Sequence, residues 1–229
     1  MFDNTPVLGR SESTQLVINK VLRNTYALLG LSLIPTVVGA YFGLQMNFSF
    51  MALHPFIFGI GFLAVMFGLF KLIEVNQNSG VGVWLLLGVT FLFGLMLGPI
   101  LQNALHFSNG AQIVGLAAAG TGITFLSLAA IASSPARDFN YLGKFLFIGL
   151  ILAIIASLAN AFLHIPVLSL VVSGISIIIF SGYILYDVNQ IVRGGQTNYV
   201  MATLSLYLDI YNIFVNLLNI LMSLMGSRD

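Results

Sequence analysis

The chain has 229 residues, of which 59% are hydrophobic and 7% charged, with a formal net charge of +1 and no cysteine. That composition excludes a water-soluble globule. The near-neutral charge offers no basic surface for nucleic acid, and the lack of thiols excludes disulfides, thiolate metal sites and cysteine nucleophiles.

Residues 1–24 are polar with scattered charge and are expected to form a flexible cytoplasmic tail. The first apolar run after them is about 20 residues long, the length of a membrane-spanning helix rather than of a signal-peptide core, so no cleaved signal is expected. Runs of spanning length are Thr25 to Leu44, Met51 to Phe70, Val81 to Leu101, Ala111 to Ile131, Tyr141 to Leu163, Pro166 to Val188 and Val200 to Leu224. Breaker and cap residues separate them, among them Asn47 with Ser49, Asn76 to Gly80, Ser133 to Asp138 and Arg193 to Asn198. Backbone groups in hydrocarbon must bond within their own segment, and the runs lack the alternation of barrel strands. The expected fold is an all-α integral membrane bundle of seven transmembrane helices over residues 25–225, with a short tail at 226–229.

With the N-terminus inside, Arg10, Lys20, Arg23, Lys71, Arg137, Lys144 and Arg193 fall on one side and only Arg228 on the other. The N-terminus is therefore predicted cytoplasmic and the C-terminus outside. His54, His106 and His164 lie on separate outer loops and are given no role. In the third span, Gly94 and Gly98 followed by Pro99 predict a close helix contact and a kink.

Two carboxylates, Asp187 and Asp209, stand inside the last two spans. An ionised carboxylate in hydrocarbon is costly enough that such a pair marks a functional site. On the seventh span Ser205, Asp209, Asn212, Asn216, Asn219 and Ser223 fall within an arc of roughly 80°. On the sixth, Ser173, Ser176, Tyr183, Asp187 and Gln190 share an arc of roughly 100°. Two polar faces in one bundle should meet. Interhelical hydrogen bonding accounts for the Asn and Ser residues alone; two acids on the same faces ask for more. With a rise of about 1.5 Å per residue, Asp187 before the Arg193 to Asn198 turn and Asp209 after it differ in depth by about one turn. Two desolvated carboxylates resist double ionisation, so the pair is expected to share a proton and titrate as a unit. A static hydrogen-bonded pair, a proton switch and a cation held between the acids, with calcium suited to carboxylate and amide oxygens, all remain open.

The stretches SGYILYDVNQIVRGGQTNY and SLYLDIYNIFVNLL, the LGPIL run from Leu97 to Leu101 and KVLRNTY from Lys20 to Tyr26 resemble the Bax inhibitor-1 family, and more closely its bacterial YccA-type subgroup. The resemblance covers nearly all of the chain beyond its first 18 residues. It implies a seven-helix fold with the last helix central, a bacterial inner-membrane location with a periplasmic C-terminus, and in some bacterial members a pH-sensitive calcium leak gated by an aspartate dyad. The dyad falls on Asp187 and Asp209, with Tyr183, Gln190, Ser205, Asn212, Asn216 and Asn219 as polar lining. Leak-type members also latch the dyad with an arginine near the cytoplasmic end of the second span. Here Asn76 stands at that place, which leaves Lys71 and Arg193 as candidate electrostatic partners. The YccA-type subgroup is instead associated with modulation of an FtsH-type quality-control protease, for which the N-terminal tail would be a suitable handle. No resident cofactor is implied, and calcium enters only as a transported ion.

An enzyme is not expected. An intramembrane aspartyl protease sets its second acid in a Gly-x-Gly-Asp context, whereas Asp209 follows Leu206, Tyr207 and Leu208. There is no Gly-x-Ser-x-Gly, His-Glu-x-x-His or phosphate-binding Gly-rich loop with lysine.

Overall fold

The computed structural model describes residues 7–134 and 136–226, with side chains from residue 15 onward apart from residue 52. Among these residues there are nine helices and no strand: α1 (Val7–Gln45), α2 (Ser49–Leu53), α3 (Pro55–Asn76), α4 (Gly80–Met96), α5 (Gly98–Leu105), α6 (Gly110–Ala132), α7 (Leu142–Leu163), α8 (Pro166–Val192) and α9 (Tyr199–Met225). Seven stretches are long and apolar enough to cross a membrane, with α4 and α5 counted as one span, Gly80–Leu105. The all-α, seven-span expectation is met.

One boundary differs from the sequence reading. The helix of the first span reaches back to Val7, so residues 7–24 continue α1. No proline interrupts the chain between residues 7 and 34, and propagation from a formed helix needs no new nucleus. The remainder of the expected N-terminal tail, residues 1–6, and the C-terminal residues 227–229 with Arg228 lie outside the described residues.

The kink in the third span falls where Gly98 and Pro99 place it. Pro99 has no N–H to offer, and the Leu97 N–H divides itself between the carbonyls of Phe93 (3.2 Å) and Gly94 (3.0 Å). The close contact is made with α1. A Cβ on Gly94 would collide with the Thr36 carbonyl, and one on Gly39 of α1 with the Phe91 carbonyl; Gly43 and Gly98 abut each other in the same way. Small residues on both helices let the backbones approach directly, the main source of helix association where lipid removes the hydrophobic drive. Thr36 donates to the Thr90 carbonyl (3.2 Å), and the fully buried Tyr207 hydroxyl meets Thr36 Oγ1 (2.9 Å) and the Thr90 carbonyl (3.3 Å), locking α1, α4 and α9 at one point.

The C-terminal helix packs against α1, α3, α4, α5, α6 and α8. Its apolar residues Leu206, Tyr207 and Ile213 join Ile184, Val188 and Ile191 of α8 and Ala129 and Ala132 of α6 in the largest buried cluster. Among the described helices the backbone of α7 packs closely only on α8, and one further contact, the stack of Phe162 on Phe56 (ring centroids 4.9 Å), reaches α3.

Candidate functional site: a paired-carboxylate cavity at the α8–α9 turn

The α8–α9 hairpin sets the site. Helix α8 ends at Arg193, Gly194 takes a left-handed φ of 77°, and the N–H groups of Gly195 (2.8 Å) and Gln196 (3.0 Å) both close onto the Gln190 carbonyl. Glycine at Gly194 makes this stop inexpensive. Helix α9 then starts on Asn198, whose Oδ1 accepts from the N–H groups of Val200 (2.9 Å) and Met201 (3.1 Å), satisfying two orphan donors. The same side chain donates through Nδ2 to the Gln77 carbonyl (3.0 Å) and to Asn78 Oδ1 (2.9 Å), tying the α3–α4 loop to this end of the bundle.

With the hairpin so fixed, Asp187 and Asp209 face each other, and their carboxyl groups lie within hydrogen-bonding reach. Neither can donate unless one is protonated, so a hydrogen bond between them would need a proton on one of the two. The two acids are not equivalent. Asp209 is 5% exposed and its Oδ2 has no hydrogen-bond partner. Asp187 is half-buried and lines a cavity of about 210 Å³ with Tyr186, Gln190, Gly195, Gln196, Ala202 and Ser205. Of the two acids it is thus Asp187 that borders the cavity, beside the turn residues Gly195 and Gln196.

Of the other residues expected at the site, Gln190 and Ser205 line the cavity, while Tyr183 sits against Leu146 and Ile179 yet remains within electrostatic reach of both acids. Asn212, Asn216 and Asn219 are not among the cavity's lining residues. Asn212 and Asn216 donate instead to carbonyls of their own helix, Leu208 (2.8 Å) and Asn212 (2.8 Å). Ser223, the last of the polar stripe, is exposed. Helical periodicity placed these residues on one face; it could not tell that short amides would turn back onto their own backbone.

Neither candidate cation contacts the pair. Lys71 is bound to Glu74 at 2.9 Å on the exposed surface of α3, and Arg193 to Asp138 at 3.2 Å, with a further bond to the Arg137 carbonyl. Asn76, at the latch position, donates to the Leu72 carbonyl of its own helix. Lys71→Gln is therefore expected to leave the behaviour of the acid pair unchanged and to alter thermal stability by no more than about 0.5 kcal/mol, the worth of an exposed ion pair; a melting curve in detergent checks this.

Sequence reasoning passed over Asn189, next but one to Asp187. It is fully buried, accepts from the Phe139 N–H (3.1 Å) and donates to the Arg137 carbonyl (3.0 Å), while Gln190 donates to Asn140 Oδ1 (2.8 Å). Together with Arg193 these side chains hold the α6–α7 loop against the rim of the cavity. Polarity inside a long apolar run was the available signal. Asn189→Ala is expected to cost about 2 kcal/mol, since it leaves the part-buried Phe139 N–H without its acceptor and takes one of two donors from the Arg137 carbonyl, and to lower the melting temperature accordingly. Gln196 and Tyr186 were likewise missed as lining, although both fall in the quoted motif.

Among the described residues no group of three or more His, Asp or Glu side chains could hold a metal ion. Two carboxylates alone can accompany a passing cation but do not make a resident site.

Comparison with known proteins agrees with this architecture. Residues 18–227 match the family model described as inhibitor of apoptosis-promoting Bax1. The chain is 43% identical over 214 residues to an uncharacterised protein of Neisseria meningitidis, covering 91% of this chain and 92% of that one. It is 37% identical over 213 residues to the modulator of FtsH protease YccA of Escherichia coli K12, and equally to the inner membrane protein YccA of Escherichia coli O6:H1, covering 93% of this chain and 94% of each relative. A match over nearly the whole chain, on a seven-span helical bundle, makes this protein a member of the Bax inhibitor-1 family.

Proposed function

We propose that the chain is a pH-responsive cation pathway of a bacterial inner membrane, with calcium the favoured ion and Asp187 and Asp209 the gate. The observation that carries this reading is the pairing of two carboxyl groups, one buried and one open to a cavity at the α8–α9 turn. Held by one proton, the pair closes α8 on α9. Loss of that proton leaves two like charges side by side in a poorly solvated place, and their repulsion favours separation, hydration or a bridging cation. The excess of Lys and Arg supports a cytoplasmic position for the turn and a periplasmic C-terminus on this reading. Calcium flux from vesicles containing purified protein tests the reading. Equal flux from the wild type and from the double variant Asp187→Asn with Asp209→Asn would end it.

A second reading is favoured by a different observation, the 37% identity over 93% of this chain to a protein named as a modulator of FtsH protease. On that reading the chain is a non-enzymatic partner of an FtsH-type membrane protease and acts through its N-terminal residues and the bundle. Deleting residues 2–14 leaves the first candidate span, Gln15–Gln45, intact. The deletion is expected to reduce co-purification with the protease or to change turnover of its membrane substrates; unchanged values in both assays would count against this role.

A further inference from the structure

Helices α1 and α6 both lie on α9 but their backbones do not pack together: among the described residues their Cα atoms stay more than 8 Å apart, and an edge-on contact of Tyr26 with Phe125 (ring centroids 6.1 Å) bridges them. The gap between them is a crevice of two chambers, about 490 and about 390 Å³, which share Leu33, Gly122 and Ile210. Its floor is α9. Its walls are stripes at helical spacing, Leu29, Leu33 and Val37 on α1 and Ala118, Phe125 and Ala129 on α6. Gly30 and Gly122 line it without meeting any atom that a Cβ would touch, which deepens the opening toward the bilayer.

Within a membrane such a crevice opens onto lipid, and the groups at one end say which lipid. The first chamber ends at Tyr26 and Ser133, its hydroxyl-bearing residues. Continued by one turn, the α1 stripe arrives at Arg23, and just past the end of α6 stands Arg137. Both side chains are exposed. The backbone of Arg137 is held in place by the bonds its carbonyl accepts from Asn189 and Arg193. An apolar slot between spans that ends at the buried, unpartnered Tyr26 hydroxyl and at Ser133, with two exposed arginines a turn or so away in sequence, matches an amphiphile with a hydrocarbon chain and a negatively charged head.

We propose that the α1–α6 crevice is a binding site for an anionic phospholipid, one acyl chain lying along α9 between Gly30 and Gly122 and the phosphate at Arg23 and Arg137. This does not depend on the acid pair, whose cavity lies between α8 and α9. Native mass spectrometry of the full-length protein, loaded with phosphatidylglycerol or phosphatidylethanolamine in detergent, tests it. The wild type is expected to retain phosphatidylglycerol preferentially. Gly30→Leu with Gly122→Leu, which fills the crevice, is expected to lower retention of both lipids about tenfold. Gly68→Leu, at another glycine with open space around it, is expected to leave retention unchanged. Arg23→Gln with Arg137→Gln is expected to keep a lipid bound but to lose the preference for the anionic head. Equal retention in the wild type and the filled crevice, an equal loss from Gly68→Leu, or a bound mass that is a peptide would overturn the proposal. Should the filled crevice prevent folding, the headgroup preference of the arginine variant decides alone, and an undiminished preference refutes it.

Discussion

Asp187→Asn is expected to flatten the pH dependence of calcium flux without separating α8 from α9. In the wild type a hydrogen bond between the two carboxyl groups needs a proton, and its loss is what pH can control. The sign follows from charge: acidification keeps the pair neutral enough to stay joined, and alkalinisation leaves two negative charges that repel. Flux should therefore rise with pH, at most about tenfold per unit for a switch worked by one proton. An asparagine amide donates to Asp209 at every pH, so the variant should show less than about a twofold change across the same range. Asp209→Asn should behave alike in sign but cost more stability, because Asp209 is the more buried partner. The measurement is calcium release from vesicles at several pH values, with circular dichroism to establish that each variant is folded. The two candidate cations are engaged elsewhere, Arg193 with Asp138 and Lys71 with Glu74. A variant that retained the full wild-type slope would remove the pair from the mechanism.

The second large effect is expected at a position without any side chain. Gly94→Val should cost about 3 kcal/mol, the upper end for overpacking a tight contact, because the new branches meet the Thr36 carbonyl, a backbone atom that cannot rotate away. Moving α1 aside would also break the Thr36–Thr90–Tyr207 junction. The paired control is Gly30→Ala. It meets nothing, so it should be neutral or slightly stabilising through helix propensity alone. Thermal unfolding in detergent separates the two, and equal melting temperatures would mean that α1 and α4 are not held by backbone contact.

Legibility in the sequence followed physical range. Each span was readable because hydrophobicity over about 20 residues is a local property. The kink was readable because Pro99 acts on its own helix, and Asp187 and Asp209 because a charge in an apolar run stands out whatever surrounds it. Gly39 and Gly43 were as visible as Gly94 and Gly98, yet only the fold pairs them. Asn189 and Asn198 were readable as polar but not as clamps, since their partners lie in loops about 50 and 120 residues distant. The amides of α9 went the other way: Asn212 and Asn216 looked like part of a continuous polar lining and are satisfied within their own helix. The start of α1 was hidden because a polar segment with no breaker can extend a helix as readily as fray from it.

The slight bracing of α7 has a mechanical corollary. Every other spanning helix packs its backbone on at least two partners, whereas this one leans on α8 and, beyond it, on a single ring stack with α3. Drawn upward by an extractor or an atomic-force tip, it should detach before the rest at low force, exposing the flank of α8 beside Tyr183 and Tyr186 while the inner bundle stays whole.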